Sequence, residues 1–140
     1  MSTPTRYLAL DPGERRTGLA ATDATGTICV PLERIDHIGL QALPPRVADV
    51  VRERATEVVV VGVPFGLGGT TGPQAKKVLA FVERLRKELP DIEIATVDEA
   101  HSSDVAHAQL KAAGVKAARR RRYADSLAAL EILRRHLGLH

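Results

Sequence analysis

Apolar and polar positions alternate in short runs over the first forty residues, a pattern typical of β-strands separated by turns. The runs predict strands at residues 6–11, 17–23 and 27–35. The short polar turn Ala24-Thr25-Gly26 joins the second strand to the third. These residues therefore predict a three-stranded meander at the start of the chain.

The pattern then changes to helical spacing, with apolar residues recurring every three or four positions at residues 43–56. A continuous β-branched run follows at 58–61, which is typical of a strand covered on both faces in a parallel sheet. After a glycine- and proline-rich loop at 62–72, a second helix is predicted from Pro73 up to Pro90. A short strand is expected at 92–97.

Two further helices are predicted near the C-terminus, at residues 104–113 and 121–137, from a serine N-cap, a closing glycine and regularly spaced leucines. The predicted element order is β-β-β-α-β-α-β-α-α. A meander followed by alternating helices and strands predicts an α/β fold with a single mixed five-stranded sheet and helices on both faces. We expect residues 1–140 to form one domain.

The composition is ordinary for a globular protein, with 44% hydrophobic and 26% charged residues among 140. No apolar run approaches the length of a membrane span, and the opening MSTPTRY lacks the apolar core of a signal peptide. The only cysteine, Cys29, cannot form an internal disulfide, which fits a reducing compartment. We therefore expect a cytoplasmic protein.

The charge is mildly basic, with a net charge of +3 and basic residues gathered in two places. Aromatic residues make up 3% of the chain and tryptophan is absent, so a surface that stacks bases is not expected. A nucleic-acid partner would be contacted mainly through its phosphates. The residues predicted to make these contacts are Arg15, Arg16, Arg119, Arg120, Arg121 and Arg122.

Carboxylates end two of the predicted strands, and one more lies inside the last predicted helix. Asp11 ends the first strand, Asp98 and Glu99 end the fifth, and Asp125 lies in the predicted C-terminal helix. Ligand sites in open α/β sheets lie at the carboxyl ends of parallel strands, so these acids are expected to converge. Because converging carboxylates repel one another, a hard cation such as Mg²⁺ or Mn²⁺ would stabilise the cluster.

Each acid also has a simpler explanation. Asp-Pro-Gly after the first strand is common turn chemistry. Asp98 and Glu99 could favour the N-terminus of the following helix through its dipole. Asp125 could be an exposed helical acid that pairs with Arg121 or Arg122. Only the combination of these acids with the strand order favours a metal site for phosphodiester hydrolysis.

Four motifs in order make the sequence similar to the YqgF/RuvX family of Holliday junction resolvase-like proteins. The motifs are LDPGERRTGLAATD, VVVGVPFGLGGTTGPQAKKVLAFVERL, VDEAHSSDVA and YADSLAALEIL, and together they extend over nearly the whole chain. The resemblance implies a ribonuclease H-like fold. It also implies a hydrolase, namely a metal-dependent nuclease associated with ribosome biogenesis through processing of the 5′ end of precursor 16S rRNA.

The resemblance further implies Asp11, Glu99 and Asp125 as the catalytic residues and as the ligands of Mg²⁺ or Mn²⁺. Asp98 is the less favoured member of its pair, although strand alternation leaves the choice open from sequence alone. The chain departs from the family at Ala100 and His101, where Arg-Leu is usual. The lost arginine removes a phosphate contact, which one of the other arginines could replace.

Other functions remain open from the sequence. RNA is the favoured substrate and branched DNA is the alternative; a junction resolvase would need two active sites and hence a homodimer. A non-catalytic nucleic-acid-binding protein of ribosome assembly would use the same fold. A phosphotransferase is the least favoured class, because 140 residues do not supply the second lobe that such enzymes use.

Overall fold

A mixed five-stranded sheet forms the centre of the protein. The computed structural model describes residues 4–65, 71–99 and 123–139. Within these residues the sheet has the strand order β3-β2-β1-β4-β5. The strands are β1 (Tyr7–Asp11), β2 (Arg16–Thr22), β3 (Cys29–Asp36), β4 (Val58–Val63) and β5 (Glu93–Asp98).

The two halves of the sheet differ in strand direction, as the sequence predicts. β1, β2 and β3 form the antiparallel meander. β1, β4 and β5 are parallel, with Leu10 opposite Val61 and Val63 opposite Asp98. The carboxyl ends of these three strands therefore lie at one edge of the sheet, which brings the end of β1 and the end of β5 to the same side of the protein.

Helices cover both faces of the sheet. Helices α1 (Leu43–Arg54) and α2 (Pro73–Glu88) pack on one face, and α3 (Leu127–His136) packs on the other. Two prolines lie in the first turn of α1, where a missing amide donor costs least. The larger core includes fully buried Phe81 and Leu85 between α2 and the sheet. The expected two-faced α/β architecture is confirmed.

The predicted element boundaries agree with the structure to within two residues from β1 to β5. The prediction is wrong at the last helix: residues Ala124–Ser126 form a short 3₁₀ helix, and α3 begins only at Leu127. Asp125 therefore precedes the helix instead of lying inside it. The helix predicted at 104–113 and residues 66–70 of the glycine-rich loop lie outside the described residues. Among the described helices, none is long and apolar enough to cross a bilayer.

Ser126 hydrogen-bonds to backbone groups of β2 and β3 near the point where the pairing of these two strands is irregular. The pairing register shifts between Thr17 and Leu19. The Leu19 amide donates to Ser126 Oγ at 3.1 Å, and the Ser126 hydroxyl donates to the carbonyl oxygen of Leu32. Ser126 is fully buried, so its hydroxyl satisfies the buried Leu19 amide and the partly buried Leu32 carbonyl. The same serine ties the segment carrying Asp125 to the sheet.

Ser126→Ala is therefore expected to destabilise the protein by about 1–3 kcal/mol, since it leaves the buried Leu19 amide and the partly buried Leu32 carbonyl without this partner. Urea unfolding measures the effect. Thr71→Ala, which removes an exposed hydroxyl, is the control and should change the free energy of unfolding by less than about 0.5 kcal/mol. Equal effects of the two changes would show that Ser126 does not support the sheet.

Candidate active site

Asp11 and Glu99 meet at the carboxyl edge of the parallel strands. Asp11 is the last residue of β1, and Glu99 directly follows β5, with its amide donating to the Val63 carbonyl at 2.9 Å. The two side chains are half-buried and hydrogen-bonded to each other. Asp98 is exposed. Strand alternation thus turns Glu99 toward Asp11 and turns Asp98 toward solvent, which favours Glu99 as the functional member of that pair.

The two carboxyl groups share a proton. Burial, the hydrogen bond to Asp11 and the negative charges of Asp11 and Asp98 together raise the pKa of Glu99 to about 9. Burial also raises the pKa of Asp11; the hydrogen bond from Glu99 opposes this rise and the negative charge of Asp125 adds to it. At neutral pH the Glu99 hydroxyl therefore donates to the Asp11 carboxylate.

This shared proton predicts how stability depends on pH when chelator keeps cations away. Between the ordinary pKa of 4.5 and the folded pKa of about 9, the folded protein holds a proton on Glu99 that the unfolded chain has released. The free energy of unfolding should therefore fall as the pH rises from about 5 to about 9, by roughly 2 kcal/mol once partial exposure is allowed for. Urea unfolding in EDTA at several pH values measures it.

Glu99→Gln should remove most of this fall, because the amide does not titrate. Glu93→Gln changes an exposed glutamate of β5 and should leave the pH dependence as in the parent protein. An unaltered pH dependence in Glu99→Gln would contradict the proton-sharing arrangement.

Asp125 is placed beside this pair by a close backbone contact. A Cβ atom at position 18 would overlap the backbone carbonyl oxygen of Asp125, so only glycine at that position of β2 allows the 3₁₀ helix to lie against the sheet. The Asp125 carboxylate is near enough to affect the pKa of Asp11. The sequence shows Gly18 only as part of a motif, and the structure supplies the physical reason for it.

Arg34 is a residue of the site that the sequence analysis missed. One terminal nitrogen of its guanidinium (NH1) donates to Asp125 Oδ2 at 2.9 Å, and its Nε donates to Asp36 Oδ1 at 3.0 Å. Residues 34 and 36 share one face of β3 because side chains alternate along a strand. That spacing is a signal for an Arg–Asp pair, but nothing in the sequence indicates that Arg34 reaches Asp125 across 91 positions.

The donor set fits a hard divalent cation in part. Asp11 and Glu99 offer clustered carboxylate oxygens, the ligand type such cations prefer. Across residues 4–65, 71–99 and 123–139, however, no group of three histidine, cysteine, aspartate or glutamate side chains is close enough to hold a metal ion. Asp125 instead has one carboxylate oxygen bonded to Arg34. The structure thus brings two of the predicted ligands together and holds the third next to them.

The predicted phosphate contacts are only partly described. Arg15 and Arg16 are exposed in and after the turn that follows Asp11. The turn is braced by the His37 amide, which donates to the Arg15 carbonyl at 2.9 Å. The basic run at 119–122 lies outside the described residues, as do Ala100 and His101. Two exposed cationic side chains therefore lie close in sequence to Asp11.

The strand order and the helices on both faces of the sheet define the class of fold, which is ribonuclease H-like. The solved structure of T. thermophilus RuvC in complex with Holliday junction substrate superposes with a TM-score of 0.62 at 17% identity, over 96% of each chain. The Fowlpox virus resolvase in complex with Holliday junction DNA has a TM-score of 0.57 at 13% identity, over 95% of this chain and 99% of that one. At these identities the similarity shows the fold.

Sequence comparison then identifies the family. Residues 5–138 match the family RuvX, described as Holliday junction resolvase. A relative from Fusobacterium nucleatum subsp. nucleatum, named "Putative pre-16S rRNA nuclease", is 38% identical over 135 residues, which are 96% of this chain and 97% of the relative. The chain belongs to the RuvX family and is a nuclease by class, a hydrolase of phosphodiester bonds.

Proposed function

We propose that this protein is a divalent-metal-dependent nuclease that processes the 5′ end of precursor 16S rRNA, with residues 1–140 acting as one nuclease domain. The observation that carries the proposal is the meeting of the Asp11 and Glu99 carboxyl groups at the carboxyl edge of the parallel strands, with Asp125 beside them. RNA is proposed over DNA because the relative from Fusobacterium nucleatum is named for precursor 16S rRNA.

Asp11, Glu99 and Asp125 are the proposed catalytic residues and the proposed ligands. When bound, Mg²⁺ or Mn²⁺ would supply positive charge to the scissile phosphate and activate the attacking water. The carboxylates of Asp11 and Glu99 would offer oxygen ligands to the cation. Gly18 and Ser126 hold the backbone of Asp125 in place.

Arg15 and Arg16 are proposed to contact phosphates on either side of the scissile bond. Both are exposed near the turn that leaves the active edge, which suits contacts to a flexible backbone without reading bases. Arg119, Arg120, Arg121 and Arg122 are proposed for the same role from the sequence alone. These contacts would make binding fall steeply with salt concentration.

Junction resolution is the second candidate function. The description of the matched family as Holliday junction resolvase favours it. It would require a homodimer, because two strands of a junction must be cut. The same acids would serve either substrate, so the substrate and not the chemistry separates the two candidates.

A cleavage panel tests the proposal. Purified protein is incubated with Mg²⁺, Mn²⁺ or EDTA and with labelled RNA carrying a precursor 16S 5′ end, single-stranded RNA, single-stranded DNA or a four-way junction. Metal-dependent cutting of the precursor RNA is the expected result. Symmetric cutting of the junction alone would support the resolvase, and binding without any cutting would support a non-catalytic assembly factor.

A further inference from the structure

We infer that Arg34 is a positioning residue that holds Asp125 in the cation-free protein and competes with the divalent cation for that carboxylate. The inference rests on the proposed function, because it assigns to Asp125 the role of a cation ligand. It adds a residue from β3, an edge strand that carries none of the proposed ligands.

Arg34 forms two ion pairs, and the one with Asp125 is more shielded from solvent than the one with Asp36. The side chains of Arg34 and Asp125 are 32% and 34% exposed, whereas Asp36 is 68% exposed. The more shielded ion pair is less weakened by solvent and salt. Asp36 therefore steadies the Arg34 side chain from the solvent side, and Asp125 is its principal partner.

The backbone of Asp125 is fixed by contacts with β2 and β3, whereas its carboxylate is bonded to Arg34 and can exchange that partner for a cation. The carbonyl of Asp125 lies against Gly18, and the next residue, Ser126, is bonded to Leu19 and Leu32. These contacts restrict the backbone of the segment and involve no atom of the Asp125 carboxylate. Exchange of Arg34 for a cation would break the Arg34 bond to Oδ2 and leave these backbone contacts in place.

Arg34 also contributes a positive charge next to the site. The positive charge of Arg34 repels a divalent cation that approaches the site. The bond from Arg34 to Asp125 Oδ2 also occupies an oxygen that would otherwise be a ligand. Both effects have the same sign. Removing Arg34 should therefore increase the affinity of the site for a divalent cation.

Mn²⁺ titration of the full-length protein, followed by electron paramagnetic resonance, measures this affinity without reference to cleavage. Arg34→Gln is expected to lower the Kd for Mn²⁺ about three- to tenfold. Arg34→Lys keeps the charge but not the two-armed geometry, and should fall between parent and Arg34→Gln. The matched control is Arg52→Gln, which breaks an exposed ion pair with Asp49 of 3.2 Å on α1 and should leave the Kd unchanged.

Asp125→Asn supplies the second arm of the test. In that background Arg34→Gln should lose most of its effect on the Kd, because the carboxylate for which Arg34 competes is gone. Melting temperatures in EDTA show whether each variant is folded. If Arg34→Gln does not fold, Arg34→Lys replaces it in the comparison.

An unchanged or higher Kd in Arg34→Gln, an equal effect with and without Asp125, or no Mn²⁺ binding by the parent protein would overturn the inference. Its failure is distinguishable from failure of the proposed function. Metal-dependent RNA cleavage with an unaltered Kd in Arg34→Gln would remove the role of Arg34 alone. A lower Kd without cleavage of any nucleic acid would remove the nuclease and retain the competition.

Discussion

Asp11→Asn should reduce the rate of phosphodiester cleavage at least about a thousandfold while the protein stays folded. Asp11 lies at the centre of the acidic cluster: it is bonded to Glu99 and lies within the electrostatic influence of Asp125. An amide keeps the shape of the side chain but removes the charge that attracts a cation. Single-turnover cleavage of precursor RNA in Mn²⁺ measures the loss.

The melting temperature separates loss of chemistry from loss of fold. Because burial raises the pKa of Asp11, its ionised form is costly in the folded state, and Asp11→Asn should melt at the parent temperature or slightly above it. Asp98→Asn changes the exposed carboxylate at the end of β5 and is the matched control, with activity expected within about threefold of the parent. Cleavage by Asp11→Asn at the parental rate would contradict the assignment.

Gly18→Ala should be the most damaging small substitution in the described part of the sheet. The added methyl group would occupy the space of the Asp125 carbonyl, and a backbone atom cannot yield as the end of a side chain can. We expect a loss of about 3 kcal/mol in the free energy of unfolding. Displacement of the 3₁₀ helix by about an ångström would also lower cleavage about a hundredfold.

Gly72→Ala is the matched control, since a Cβ at that position meets no heavy atom within 4 Å and its φ is −79°. It should change stability by less than about 1 kcal/mol. Urea unfolding and single-turnover cleavage of the two variants give both readouts. Similar stability of Gly18→Ala and Gly72→Ala would show that the contact between β2 and Asp125 is not needed.

The sheet was predictable from local patterns. Alternation in the meander and the continuous valine run of β4 are properties of neighbouring residues, and they lead directly to the mixed sheet. The meeting of Asp11 and Glu99 also follows from sequence, because both lie at carboxyl ends of parallel strands. The choice between Asp98 and Glu99 needed the structure, since a shift of one residue reverses the face of a strand.

The surroundings of Asp125 could not be predicted in the same way. Asp125 contacts Arg34 and Gly18, and both residues are distant from it in sequence. Such contacts depend on how the last helix packs on the sheet. The 3₁₀ turn at Ala124–Ser126 carries no apolar periodicity that would distinguish it from the helix that follows. Ser126 falls within the helix predicted at 121–137, and its hydrogen bonds to β2 and β3 appear only in the folded protein.

Mapping the 5′ ends of the products from a precursor 16S RNA, in parallel reactions with Mn²⁺ and with EDTA, tests the central claim most directly. We expect one principal cut in the 5′ precursor segment, present with Mn²⁺, absent with EDTA and absent with Asp11→Asn. Cleavage that persists in EDTA or with Asp11→Asn, or no cut in this RNA under any of these conditions, would contradict a metal-dependent ribosomal RNA nuclease built on Asp11, Glu99 and Asp125.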